Sequence, residues 1–191
     1  MDLQKINVKF FAADTNGVRL EDFIQIFNSW VQASDGAYYD IADYSHVQAG
    51  PGTLVVAHEA NISIDCAGSR LGFLYNRKQP LAGTNQEKLA TIFKATLENC
   101  RKLEEEPGLD GKLRFLGGEA LVVINDRLLA PNSEETFVAV RPEIELLARR
   151  LYGSAEYTLE RDPDARKRFN VFLRTSVSLD TRALLKNLGD A

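Results

Sequence analysis

The residue types that do chemistry collect in one stretch of this 191-residue chain, residues 40–59. It holds both histidines, His46 and His58, together with Asp40, Asp43, Tyr44, Glu59 and a Gly-Pro-Gly at 50–52. Neutral imidazole is a common ligand of metals and haem iron, and it is the side chain that titrates near neutrality. A non-haem metal needs a third ligand beside two histidines, and Asp43, Glu59 or Asp65 could supply it. A haem needs one axial histidine, His46 or His58, and an apolar pocket. Tyr44 and the aromatic residues Phe23, Phe27 and Trp30 are candidates to line it. An acid–base enzyme using His46, His58 and Glu59 is the alternative reading. A third is an oligomerisation or interaction module with no chemistry at all.

Whether the histidines meet depends on the hairpin around Gly50-Pro51-Gly52. With Pro51-Gly52 as a two-residue loop, His46 faces Ala57 and the imidazoles lie on opposite faces. With an odd loop count and paired positions summing to 104, His46 faces His58, with Cβ atoms roughly 5 Å apart. The Gly-Pro-Gly fits a type II turn, with Gly52 at the position of positive φ.

A second cluster, Arg161, Arg166, Lys167 and Arg168, flanks a hairpin tip at Asp162-Pro-Asp164. It reads as a solvated loop or as a docking point for an anionic ligand or an acidic partner. Cys66 and Cys100 are too few and too isolated for a disulfide framework or a zinc site. There is no P-loop, no dinucleotide fingerprint, no nucleophile elbow and no His-Glu-x-x-His. The formal net charge is −4, which gives no general attraction to nucleic acid or to anionic membranes. No apolar run approaches membrane-spanning length and the start of the chain lacks a signal-peptide pattern, so a cytoplasmic protein is expected.

The elements that position these residues follow from periodicity. Ile6, Val8 and Phe10 alternate with Asn7 and Lys9, which predicts a half-buried strand. A turn follows at 14–17. Leu20, Phe23, Phe27, Trp30 and Val31 keep helical spacing. Residues 39–75 read as a meander of three or four antiparallel strands. Thr84-Asn-Gln-Glu87 is a capping box opening a second helix. That helix ends at Glu104-Glu-Glu, three acids read as a solvated face. A hairpin around Gly117-Gly118 is expected next. A helix follows, with a second capping box at Asn132-Ser-Glu-Glu135, interrupted or kinked by Pro142. A hairpin and a terminal helix capped by Ser178 or Asp180 close the chain. The sum is one compact α+β domain over residues 1–191, with antiparallel strands, three to four helices and an opening that suits a ferredoxin-like unit. The shared Gly…Leu-Val-Val of residues 52–56 and 118–123 hints at a duplication.

Asp43-Tyr-Ser-His46, Gly50-Pro-Gly52, Leu54-Val-Val and His58-Glu59 resemble a group of uncharacterised bacterial proteins described as distantly related to haem-binding proteins. The resemblance covers the first third of the chain. It implies a bacterial source and a pocket for haem or another small apolar ligand. With no Cys-x-x-Cys-His motif in the chain, such a haem would be noncovalent.

Overall fold

A computed structural model describes residues 1–15 and 17–189. Asn16, inside the turn expected at 14–17, lies outside the described residues. The strands are β1 (Ile6–Ala12), β2 (Tyr38–Tyr44), β3 (Gly52–Ala57), β4 (Ala60–Asp65), β5 (Gly72–Arg77), β6 (Phe115–Ile124), β7 (Tyr157–Arg161) and β8 (Phe169–Thr175). The helices are α1 (Asp22–Ala33), α2 (Asn85–Glu104), α3 (Glu134–Tyr152) and α4 (Thr181–Leu188). All eight strands form one antiparallel sheet in the order β2-β3-β4-β5-β1-β6-β8-β7. This is the expected α+β class. The opening is not the expected ferredoxin-like unit: four strands, not two, run between α1 and α2.

Register explains the two faces. One row crosses the sheet as Ile41, Val55, Ile62, Tyr75, Val8, Val122 and Val171. These side chains meet the buried stripes of all four helices in one apolar core. The adjacent row, Leu54, Ser63, Leu74, Lys9, Leu121, Phe172 and Glu160, points the other way. The helices therefore cover one face and leave the other open. β1 lies at the sheet's centre, flanked by β5 and β6. Asn7 and Lys9 are consequently buried too, each 2% exposed, and the strand is buried on both faces where half-burial was expected.

The topology repeats itself. β1 is followed by a helix, a meander whose last strand β5 returns beside β1, and helix α2. β6 is followed by α3, a hairpin whose last strand β8 returns beside β6, and helix α4. β1 and β6 pair at the centre. The sequence match between residues 52–56 and 118–123 does not mark this repeat, because it equates β3 with β6.

Thr84 and Glu87 form the capping box. Thr84→Ala is expected to cost about 1 kcal/mol in a urea titration, by freeing the Glu87 amide. α3 runs through Pro142 as a single helix, but its cap is Ser133, which accepts from Thr136 N. Asn132 instead donates to the carbonyls of Asp162 and Asp164 at 2.9 Å each and ties down the β7–β8 loop. α4 is capped by Asp180, which accepts from Ala183 N.

Gly117-Gly118 is not a turn: both residues lie inside the ten-residue β6. A Cβ at Gly117 would stand 2.0 Å from the Leu179 carbonyl oxygen, so the glycines let the β8–α4 connection pass close. The three acids that end α2 are not a free solvated face either. Glu104 accepts from Phe115 N and from the Thr181 hydroxyl, Glu105 pairs with Arg182, and Glu106 accepts from the Trp30 indole. They join α2 to α1, β6 and α4.

Candidate ligand-binding site

The stretch that holds the histidines does not assemble a site. Tyr44 pairs with Gly52, so residues 45–51 form a seven-residue loop and neither expected register occurs. A short loop would place Pro51-Gly52 at the tip. Instead the chain turns earlier, with Val47 N donating to the Tyr44 carbonyl and Gly50 N to that of Val47. His46 sits in this loop and His58 in the turn to β4, both exposed. They lie beyond opposite ends of β3, a strand about 20 Å long at 3.3 Å per residue.

The candidate third ligands are engaged elsewhere. Asp43 accepts from Ser45 N at 2.9 Å, and that amide holds its carboxyl below the usual range. Glu59 pairs with Arg77 at 2.5 Å. Asp65 binds Lys9. Among the described residues no cluster of three or more His, Cys, Asp and Glu side chains is placed to hold a metal ion. Phe27 and Trp30 are packed in the core, their rings 5.3 Å apart, with the Lys102 ammonium 3.8 Å from the Trp30 ring centroid. Tyr44 is 41% exposed at the sheet edge.

A different set converges on the open face. Four segments distant in sequence meet there: β1 with Lys9 and Phe11, the β4–β5 turn with Asp65 and Arg70, β6 and its loop with Leu121, Val123 and Arg127, and the β7–β8 hairpin with residues 162–172. They enclose a cleft of about 510 Å³. Its floor is apolar. Phe11 and Phe172 stack with ring centroids 6.2 Å apart and planes at 16°. The Arg70 guanidinium lies 3.9 Å over Phe11 and the Arg174 guanidinium 4.4 Å over Phe172. Glu119 bridges the two arginines and is held below the usual carboxylate range, most by Arg70. Cation–π contact and ion pairing together fix both rings in place.

Beneath the floor Lys9 is clamped. Its ammonium donates to Asp65 at 2.6 Å and to the Arg70 carbonyl at 2.7 Å, with side chains 3% and 8% exposed. Burial outweighs the pull of Asp65 and sets the Lys9 pKa below the ordinary lysine value. Beside the floor, Asn7 Oδ1 is buried with no hydrogen-bond partner among the described residues. Such an atom seeks a donor.

The rim is basic. Six basic side chains line the cleft against two acids. Arg166 and Lys167 are neutralised within the hairpin by Asp164 and Asp162. Among the described residues the Arg168 side chain reaches only the Asn125 side-chain oxygen, at 3.3 Å. Arg127 forms no ion pair or hydrogen bond among the described residues. Two guanidiniums therefore stand at the cleft without a carboxylate. The sequence signalled half of this, in the cluster 161–168. Phe11, Phe172 and Arg127 carried no signal of their own, because only strand order brings them together.

A larger cavity of about 800 Å³ lies between the start of β6 and the start of α4. Most of its charged walls are engaged: Arg182 pairs with Glu105 and Arg174 with Glu119 and Glu160, Glu104 accepts from the Thr181 hydroxyl, Asp180 caps α4, and Arg114 donates to the carbonyls of Glu104 and Leu113. Its lining lacks the stacked aromatic floor of the smaller cleft.

Fold and cleft together define an α+β protein with a one-sided antiparallel sheet, its open face holding an aromatic-floored cleft with a basic rim. No family model matches the chain, and neither a curated protein nor a solved structure matches it. Among the described residues no helix is long and apolar enough to cross a membrane.

Proposed function

We propose that the protein binds a small amphipathic anion in this cleft. The apolar body lies on Phe11, Leu121, Val123 and Phe172, and a carboxylate or phosphate meets Arg127 and Arg168. The supporting observation is the pair of guanidiniums without carboxylate partners at the rim of an apolar-floored cleft of ligand size. Pockets for small molecules combine these features: a mostly apolar lining, a few convergent polar groups and a volume of roughly 300–1,000 Å³. Haemin, an apolar ring with two carboxylates, belongs to this chemical class. No imidazole lines the cleft, so His46 and His58 are not available there as axial ligands.

Calorimetric titration with laurate, naphthyl phosphate and haemin tests the reading. At least one should bind with a stoichiometry near one. Replacing Arg127 and Arg168 together by glutamine should weaken it by tenfold or more, since a hydrogen bond to a charged group contributes about 1.5–3 kcal/mol. Phe172→Ala should weaken the body's contact while leaving the salt dependence intact. Absence of binding by all three, or binding that ignores the arginine substitutions, overturns it.

A further inference from the structure

The helix layer carries a second feature, on the far side of the sheet from the cleft. α3 buries Thr136, Val140, Ile144, Leu147, Ala148 and Leu151. At about 100° per residue these lie on one side of the helix. Glu135, Val138, Pro142, Leu146 and Arg149 fall within about 80° of one another on the opposite side. That ridge points straight into solvent. Val138 is 63% exposed and Leu146 53%, and Glu135, Pro142 and Arg149 are exposed as well. An apolar row with this exposure on the outermost line of a helix is not explained by the core.

The row is palindromic about Pro142. Val138 and Leu146 stand four residues to either side, and Glu135 and Arg149 seven. Two copies of α3 laid antiparallel across a twofold axis at Pro142 bring each Val138 to the other copy's Leu146. Each Glu135 then meets the other copy's Arg149. Neither Glu135 nor Arg149 forms an ion pair among the described residues, whereas the neighbouring Arg141 and Glu145 pair with each other along the helix. The acidic first turn and basic last turn of α3 also face their complements in that arrangement, and antiparallel helix dipoles attract.

We infer that α3 is the self-association surface of this protein, forming an isologous dimer centred on Pro142. An isologous interface requires one patch complementary to itself, with each residue contacting the other member of its pair. The apolar centre and opposite charges at its two ends meet that requirement. The ridge is about 21 Å long, at 1.5 Å rise per residue. A single helix pair sits at the low end of interface sizes, so the dimer is a weak, concentration-dependent one. It leaves the cleft open, because the helices and the cleft occupy opposite faces of the sheet.

Sedimentation equilibrium of the full chain over a wide concentration series tests this, with circular dichroism confirming each variant's fold. The wild type should show a monomer–dimer equilibrium, which Leu146→Glu abolishes. Glu135→Arg and Arg149→Glu should each weaken it by roughly tenfold, since every reversal acts twice across the twofold. Glu135→Arg combined with Arg149→Glu in one chain should restore it. The two single variants mixed should pair with each other in preference to themselves. Pro142→Cys, in a Cys66→Ser background, should oxidise to a covalent dimer because position 142 faces itself. A wild type that is monomeric at every concentration and uncrosslinked through Pro142→Cys overturns the inference. So does a dimer indifferent to Leu146→Glu and to the charge reversals. The cleft titrations are read on monomer and dimer alike, so either result stands apart from the other.

Discussion

Asp65→Ala is expected to lower the free energy of unfolding by about 3–5 kcal/mol, read as a fall in the urea midpoint at unchanged slope. The cause is what remains after the substitution. Lys9 projects from the central strand between Leu74 and Leu121, with its side chain 3% exposed. Two backbone carbonyls still accept from its ammonium, but the counter-charge is gone. Asp65 also accepts from Ala67 N, so the turn that presents Arg70 to Phe11 loosens as well. Replacing both partners, Lys9→Met with Asp65→Leu, should recover most of the loss, because an apolar pair of similar volume avoids the desolvation of both ions. If Asp65→Ala costs under 1 kcal/mol, Lys9 reaches water and the floor of the cleft is not rigid.

The pH dependence has a definite sign. Burial holds the folded Lys9 below its ordinary value of 10.5, so the unfolded chain binds this proton more tightly. Stability attributable to Lys9 therefore rises as pH climbs from the depressed folded value toward 10.5. Removing Asp65 takes away the attraction that opposes burial. The window in which stability rises should extend to lower pH in Asp65→Ala than in the wild type.

How far the sequence reveals this molecule depends on the range of the interaction. Signals confined to a few residues are legible: the Thr84–Glu87 capping box, the alternation of Ile6, Val8 and Phe10, the apolar stripe of α1, the strand meander of residues 39–75. Each is set by local geometry, and the α+β class follows from their sum. Signals that depend on a distant backbone are misread. Gly117-Gly118 looks like a turn because glycine pairs usually are, yet what needs them is the Leu179 carbonyl. Glu104, Glu105 and Glu106 look like an unfavourable acidic helix end because their partners Trp30, Phe115, Thr181 and Arg182 lie far off in the chain. The cleft is the extreme case. Its rim was visible in the basic cluster at 161–168, but its floor exists only because β1 sits between β5 and β6 with β8 next in order. The histidines are distinguished in the sequence by rarity alone, which carries no geometric information.

The Gly-Pro-Gly of residues 50–52 has a measurable role, and Gly52→Ala should reveal it with a loss of about 2–5 kcal/mol in chemical denaturation. Two costs combine. Gly52 has φ +60°, where a Cβ costs roughly 1–2 kcal/mol. That Cβ would also stand 2.0 Å from the Ile64 carbonyl oxygen, a backbone atom that moves only if β3 and β4 part, and overpacking of this kind costs roughly 1–3 kcal/mol. Gly36→Ala separates the two contributions. Gly36 has φ +75° with nothing within 4 Å of the added Cβ, so it should show the conformational cost alone, roughly 1–2 kcal/mol. Equal losses at both positions would mean that β3 and β4 accommodate the methyl group. A larger loss at Gly52 places the constraint at the seam of the two strands. There the Gly50 carbonyl also accepts from Cys66 N at 2.9 Å. The motif then acts by holding the β2–β3 loop against the end of β4, next to Asp65, the residue that clamps Lys9 beneath the cleft.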